Sequence, residues 1–145
     1  MKPEFSGIDR RLERLNECLS KLEPLTDKSL EEIKEDPYLE DVIERNLEVA
    51  AQSCIDISNR IISLEGFKKP ADYYQAIEIL GENQIIPGDF AAKLAPIAGF
   101  RNLLVHQYLD VDQDEVYRRL KDLGQLYQFR DYIRVWLSEE NSSAS

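Results

Sequence analysis

The sequence has a single histidine, two cysteines and six glycines among its 145 residues, and these shortages exclude several kinds of site. A lone histidine with two cysteines cannot provide the ligand spacing of an ordinary zinc site. The glycines form no phosphate-binding loop of the kind found in nucleotide-binding proteins. We therefore expect a protein that holds neither a metal nor a cofactor.

Long apolar segments are also missing. No stretch approaches the roughly 20 apolar residues that span a membrane, and the N-terminus lacks the pattern of a signal peptide. Cys18 and Cys54 fall on apolar helical stripes. We expect both to be reduced core residues, and a disulfide is the less favoured alternative. Together these features predict a cytoplasmic protein without a membrane segment.

The formal net charge of −10 argues against a general nucleic-acid-binding protein, because phosphate contacts need lysine and arginine. The charge is unevenly distributed, however. Residues 1–92 contain 20 acidic and 11 basic side chains, whereas residues 93–136 contain 6 acidic and 7 basic ones. The acidic excess therefore lies mostly outside the segment that carries the candidate site, and the total charge is compatible with a local RNA site.

Apolar residues recur in steps of three and four almost throughout the chain, and no useful length alternates with a period of two. This pattern predicts an all-α fold. The strongest stripe predicts a long central helix from about Pro37 to Leu64. Asp36 supplies its N-cap, and Gly66 follows its end.

Shorter apolar stripes predict one helix before this long helix and three after it. The third helix directs Tyr73 towards the core, the fourth is interrupted at Pro96, and the fifth occupies residues 112–137. Residues 138–145 are polar and serine-rich, and we expect a flexible tail there. The sequence thus predicts one helical domain at residues 1–137 followed by a tail.

Polar side chains that could cleave RNA cluster around the only histidine. They are Arg101, Asn102, His106 and Tyr108. On an ideal helix, at about 100° per residue, Tyr108 lies about 20° from Arg101 and His106 about 140° from it, with Asn102 between them. The four residues therefore share one broad arc of a helix, and the two leucines after Asn102 point towards the core.

This set of side chains suits RNA cleavage that uses the substrate's own 2′-hydroxyl as nucleophile. Histidine can take the proton from that hydroxyl, or donate one to the leaving oxygen, near neutral pH. Arginine can hold the scissile phosphate and stabilise its developing charge, and asparagine can orient the phosphate or the histidine. Acid and base catalysis usually need two groups, and each chain has only one histidine. A two-fold homodimer that places two motifs in one cleft would supply a second histidine.

The same residues also have simpler interpretations. An arginine, a histidine and a tyrosine fall within such a short segment by chance in many helical proteins, and His106 would then be an incidental surface residue of a helical interaction protein. On the long helix, Asp56 lies four residues before Arg60, a spacing at which an ion pair is the default interpretation. The alternative is that Asp56 faces and supports the cleft.

Three segments resemble the HepT branch of the HEPN superfamily, within about residues 42–133. The first is residues 44–62 of the long helix, and the second is Pro70-Ala71-Asp72-Tyr73. The third is residues 98–109, which contain the motif Arg-x-x-x-x-His followed by a tyrosine. The order and spacing of the three segments are similar to those of the family.

The resemblance implies a four- or five-helix bundle that pairs into a homodimer and acts as a metal-independent endoribonuclease toxin. It implies catalysis by Arg101 and His106, with Asn102 as the polar residue after the arginine. It also implies a minimal nucleotidyltransferase antitoxin as partner, which adds AMP from ATP to Tyr108. A non-catalytic HEPN module that recognises a nucleotide or serves as a scaffold would keep the same bundle and is the alternative.

Overall fold

The computed structural model describes residues 2–106 and 109–143, and all regular structure in these ranges is helical. The prediction of an all-α fold is confirmed. None of the described helices is long and apolar enough to cross a membrane. The α-helices are α1 (Ser6–Leu22), α2 (Leu30–Glu35), α3 (Pro37–Glu65), α4 (Tyr73–Glu82), α5 (Gly88–Leu94), α6 (Ile97–His106), α7 (Gln113–Lys121) and α8 (Gly124–Ser142).

The long helix α3 begins and ends where its sequence predicts. The Asp36 carboxylate accepts hydrogen bonds from the backbone N–H groups of Tyr38 and Leu39, which satisfies two donors at the helix N-terminus. Gly66 ends the helix in the left-handed conformation, with a φ of 70° that a glycine adopts without a steric penalty. Capping at both ends thus fixes the helix that supports the rest of the fold.

Helix α3 is the centre of the core, since it packs against α1, α4, α6, α7 and α8. Its buried positions repeat at helical spacing, as the sequence predicts. Cys18 on α1 and Cys54 on α3 are free and buried, which confirms that they are core residues. Burial raises the pKa of both thiols, because the apolar core disfavours the thiolate.

The later helices are more divided than predicted. The interruption at Pro96 is confirmed, because α5 ends before it and α6 starts just after it. The single helix expected at residues 112–137 is wrong. Asp122 leaves the helical conformation, with a φ of −108° and a ψ of 40°, and α8 restarts at Gly124. The apolar stripe continues across this break, so the periodicity did not reveal it.

The flexible tail expected from residue 138 is contradicted over residues 138–142, because α8 continues as far as Ser142. Two contacts hold this end of the helix against the N-terminus. The backbone N–H of Lys2 donates a hydrogen bond to Oδ1 of Asn141 at 3.1 Å. The rings of Phe5 and Trp136 pack edge to face with their centroids 5.6 Å apart. The folded domain therefore includes most of the segment that composition alone assigned to a tail.

Candidate active site

Helix α6 carries the candidate motif and turns its apolar side inwards. Ile97, Phe100 and Leu104 are buried, whereas Asn102 and His106 on the opposite side are exposed. The Arg119 guanidinium lies over the Phe100 ring, with its carbon 5.2 Å from the ring centroid, so α7 covers the inner side of the motif. This packing fixes the rotation of α6 about its axis and leaves the polar residues accessible.

Three neighbours hold the Arg101 side chain. Its Nε donates a hydrogen bond to Oε1 of Gln52 at 2.6 Å, and one terminal nitrogen donates to Oδ1 of Asn102 at 3.0 Å. Its guanidinium carbon lies 5.4 Å from the centroid of the Tyr73 ring. Arginine has five N–H donors, and these two hydrogen bonds use only two of them. The oriented guanidinium therefore retains donors with which to bind an anion.

A second layer of polar contacts holds Gln52. Its Nε2 donates to Oδ1 of Asp56 at 2.8 Å, so the amide accepts from Arg101 on one side and donates to a carboxylate on the other. Asp56 in turn lies 3.9 Å from Nε of Arg11, and Arg11 donates to the backbone oxygen of Gly7 at 3.0 Å. These contacts link α1, α3 and α6 into one polar network beneath Arg101.

Asp56 does not form the ion pair with Arg60 that their spacing suggests. Its basic partner is instead Arg11, which lies on another helix. A Cβ atom at Gly7 would come within 3.6 Å of Nε of Arg60, so this second arginine extends over α1 instead. Asp56 therefore lies between helices and contacts Arg101 through Gln52.

His106 is the last residue of α6 and is exposed. It lies five positions after Arg101, which corresponds to about 7.5 Å along the helix axis and about 140° around it. Asn102 lies one turn before His106 and contacts Arg101 directly, so it connects the two ends of the motif. Tyr108 lies outside the described residues.

Two residues that the sequence analysis did not assign to the site contact Arg101. Gln52 lies four residues before Asp56 on α3, a spacing that places their side chains next to each other, so it could have been found from Asp56. Tyr73 was predicted to point into the core, but 37% of it is exposed and its ring faces Arg101. Nothing in its local sequence indicates this contact.

Within the ranges 2–106 and 109–143, no group of three or more histidine, cysteine, aspartate or glutamate side chains could hold a metal ion. The groups that contact Arg101 are two neutral amide side chains and an aromatic ring. A guanidinium held in this way binds phosphates and carboxylates.

A family model described as ribonuclease HepT-like matches residues 15–134. The chain belongs to the HepT-like ribonuclease family. The matched region spans α3, α4 and α6, the helices that carry Arg101 and its three neighbours.

Two curated relatives support membership of the HepT-like ribonucleases over nearly the whole chain. A tRNA nuclease HepT from Aphanizomenon flos-aquae is 33% identical over 144 residues, which cover 92% of this chain and 94% of that protein. An mRNA nuclease HepT from Shewanella oneidensis is 25% identical over 129 residues, which cover 88% of this chain and 96% of that protein.

Among solved structures, the HepT-like fold is similar to that of a tri-AMPylated Shewanella oneidensis HEPN toxin in complex with MNT antitoxin. The TM-score is 0.79, with 24% identity, and the match covers 93% of this chain and 99% of that one. A cytosolic protein of unknown function, YutE from Bacillus subtilis, gives a TM-score of 0.80 and covers 93% of this chain and 91% of its own. The likeness to the Shewanella oneidensis protein shows that this chain has the fold of that HEPN toxin.

Proposed function

We propose that this protein is the toxin of a toxin–antitoxin system and acts as a metal-independent endoribonuclease. The observation that carries the proposal is the arginine of the family motif, Arg101, oriented by Gln52, Asn102 and Tyr73 with donors left to bind a phosphate. The family description and the nuclease names of two curated relatives support the same reaction class.

In the proposed reaction, Arg101 binds the scissile phosphate of RNA and stabilises the negative charge that develops on its oxygens. His106 takes the proton of the neighbouring ribose 2′-hydroxyl, whose oxygen attacks phosphorus while the bond to the 5′-oxygen breaks. The leaving oxygen gains a proton, and the products are a 2′,3′-cyclic phosphate and a 5′-hydroxyl. Asn102 orients Arg101, which it contacts, or the phosphate.

The proposed active unit is a two-fold homodimer with Arg101 and His106 of both chains in one cleft. Each chain has one histidine, and that residue lies at the exposed end of α6. A second copy of His106 would allow one imidazole to act as base and the other as acid. The exposure of His106 is compatible with such pairing, whereas a buried histidine could not reach a neighbouring chain.

The proposed partner is a minimal nucleotidyltransferase antitoxin, and the proposed control point is Tyr108. The tyrosine oxygen would attack the α-phosphate of ATP, forming a phosphodiester with AMP and releasing pyrophosphate. The attached phosphate would then compete for Arg101, and the adenosine would block the cleft. The structural relative from Shewanella oneidensis, an AMPylated toxin in complex with MNT antitoxin, supports this arrangement.

The test is cleavage of RNA by the purified protein and its variants. His106→Ala and Arg101→Ala should each lower the cleavage rate by about a hundredfold or more. Arg134→Ala, which removes an exposed arginine of α8, is the matched control and should cleave like the parent. Binding of RNA without cleavage by the parent protein would instead support a non-catalytic HEPN module. Light scattering should give a dimer, and a monomer that still cleaves would contradict the two-chain cleft.

A further inference from the structure

A groove of about 480 Å³ lies between the C-terminal end of α3 and the segment that leads into α4. Its volume falls within the roughly 300–1,000 Å³ of small-molecule sites. None of the roles proposed above accounts for it. The residues that line it are Asn59, Ile62, Ser63, Gly66, Phe67, Lys69, Pro70, Ala71, Asp72 and Tyr73.

The groove is continuous with the site around Arg101. Tyr73 lines the groove, and the same ring contacts the Arg101 guanidinium. Along α3, Gln52, Asp56, Asn59 and then Ser63 follow one another in steps of four, three and four, which keeps them on one face of the helix. The first two belong to the network beneath Arg101, and the last two line the groove. A ligand bound at Arg101 can therefore extend directly into the groove.

The groove offers the groups that bind a nucleotide. Tyr73 is 37% exposed and Phe67 is half-buried, so both present aromatic surface on which a base can stack. The Asn59 amide can donate to and accept from a base edge, and Lys69 can bind a phosphate. The one carboxylate in the lining, Asp72, already caps α4 by accepting a hydrogen bond from the Gln75 backbone N–H.

We propose that this groove binds one unpaired nucleotide of the RNA substrate, adjacent to the phosphate held by Arg101. The base stacks on Tyr73, Asn59 reads its edge, and Lys69 binds a neighbouring phosphate. The inference rests on the proposed ribonuclease function. It adds that the substrate is single-stranded at this position, because a base in a duplex would first have to break its pair and leave its stack, which costs free energy. It also makes Asn59 a determinant of base preference.

The test is a binding titration that does not depend on cleavage. All proteins carry His106→Ala, and fluorescence anisotropy measures their affinity for short fluorescein-labelled single-stranded RNAs of four base compositions. Adding Tyr73→Ala should weaken binding about tenfold, while Tyr73→Phe keeps the ring and the affinity. Tyr74→Ala is the matched control, since it removes the next tyrosine, which is exposed and does not line the groove. Asn59→Ala should reduce the differences in affinity among the four RNAs.

The inference is overturned if Tyr73→Ala and Asn59→Ala bind all four RNAs as the His106→Ala parent does, if Tyr74→Ala weakens binding as much as Tyr73→Ala, or if the parent binds none. Asn59→Ala does not alter a contact of Arg101, so its result is independent of any disturbance of that arginine. Cleavage by the wild-type protein is measured separately. If the wild-type protein cleaves RNA but the groove variants bind RNA normally, the groove proposal fails and the ribonuclease proposal stands. If the groove variants bind RNA weakly but the wild-type protein does not cleave it, the ribonuclease proposal fails and the groove proposal stands.

Discussion

The Nε of Arg101 donates a hydrogen bond of 2.6 Å to the side-chain oxygen of Gln52, which lies 49 residues earlier in the chain. The same Gln52 amide donates to Asp56 at 2.8 Å. A glutamine amide has an oxygen that accepts hydrogen bonds and an NH₂ group that donates them. Gln52 can therefore accept from the positive arginine and donate to the negative aspartate at the same time. Gln52 thus fixes the direction in which the guanidinium points.

Replacing Gln52 should therefore impair catalysis without unfolding the protein. We expect Gln52→Ala to lower kcat by roughly tenfold or more with a smaller change in KM, because Arg101 would no longer be held in the geometry the transition state needs. Gln128→Ala on α8, which removes an exposed glutamine, should leave both constants unchanged. Steady-state cleavage kinetics measure the effect. A rise in KM at constant kcat would show that Gln52 acts on binding alone.

Tyr108 should be the residue through which the antitoxin controls cleavage. Incubation with ATP and the cognate nucleotidyltransferase should raise the mass of the protein in AMP-sized steps and suppress cleavage. Tyr108→Phe should lose both responses and still cleave RNA, because Arg101 and His106 remain. Mass spectrometry and a cleavage assay on the same samples measure this. A phenylalanine variant that is modified and silenced to the same degree would remove Tyr108 as the switch.

Close contact between α4 and α5 depends on Gly81. A Cβ atom added there would lie 2.5 Å from the Cβ of Ala91, and neither side chain could move away. We expect Gly81→Ala to lower the free energy of unfolding by about 1–3 kcal/mol, because the two helices would have to separate. Urea denaturation measures it, with Gly124→Ala as the control, since nothing lies within 4 Å of a Cβ at that position. The double variant Gly81→Ala with Ala91→Gly should recover part of the loss.

Glu44 on α3 should make stability depend on pH. Partial burial raises the pKa of its carboxyl above the ordinary 4.5, and the negative charges of Asp41 and Glu40 raise it further, against a smaller lowering by a hydrogen bond with Gln113. Between 4.5 and this raised pKa the folded state binds more protons than the unfolded state, so stability falls as pH rises through that interval. Above it the full penalty of charging Glu44 remains.

Glu44→Gln removes that penalty and should stabilise the protein at neutral pH, with a smaller effect in mild acid. Thermal or urea denaturation at pH values from 4.5 to neutral would measure this dependence of the stabilisation on pH. Glu31→Gln on α2 is the control, because Glu31 is exposed. An equal effect of Glu44→Gln at all pH values would contradict the assignment.

The sequence predicts α3 well because its signals are local. An unbroken stripe, a capping aspartate and a left-handed glycine all lie within or beside the helix. The sequence does not predict the break after α7, because the apolar stripe continues across it from Leu120 to Leu123 and Leu126. The spacing of apolar residues shows which side of a helix is buried. It does not reveal a short break in the helix when the same side stays buried on both sides of the break.

In the candidate site too, the contacts within one helix could be predicted from the sequence, whereas those between helices could not. The arc of Arg101, Asn102 and His106 follows from their spacing on one helix, and the structure places Arg101 and Asn102 in contact. The contacts of Arg101 with Gln52 and Tyr73 join separate helices, and they depend on how α4 and α6 pack against α3. Spacing within one helix cannot reveal such contacts, so the groups that orient the arginine emerged only from the fold.

The central claim is that Arg101 and His106 cleave RNA with the substrate's own 2′-hydroxyl and no metal. Its most direct measurement is the chemistry of the RNA ends after incubation with metal-free protein in excess EDTA. We expect cleavage at an undiminished rate, products that end in a 2′,3′-cyclic phosphate or its hydrolysis product, and loss of those products with His106→Ala. Complete loss of cleavage in EDTA, restored by magnesium, would contradict the account.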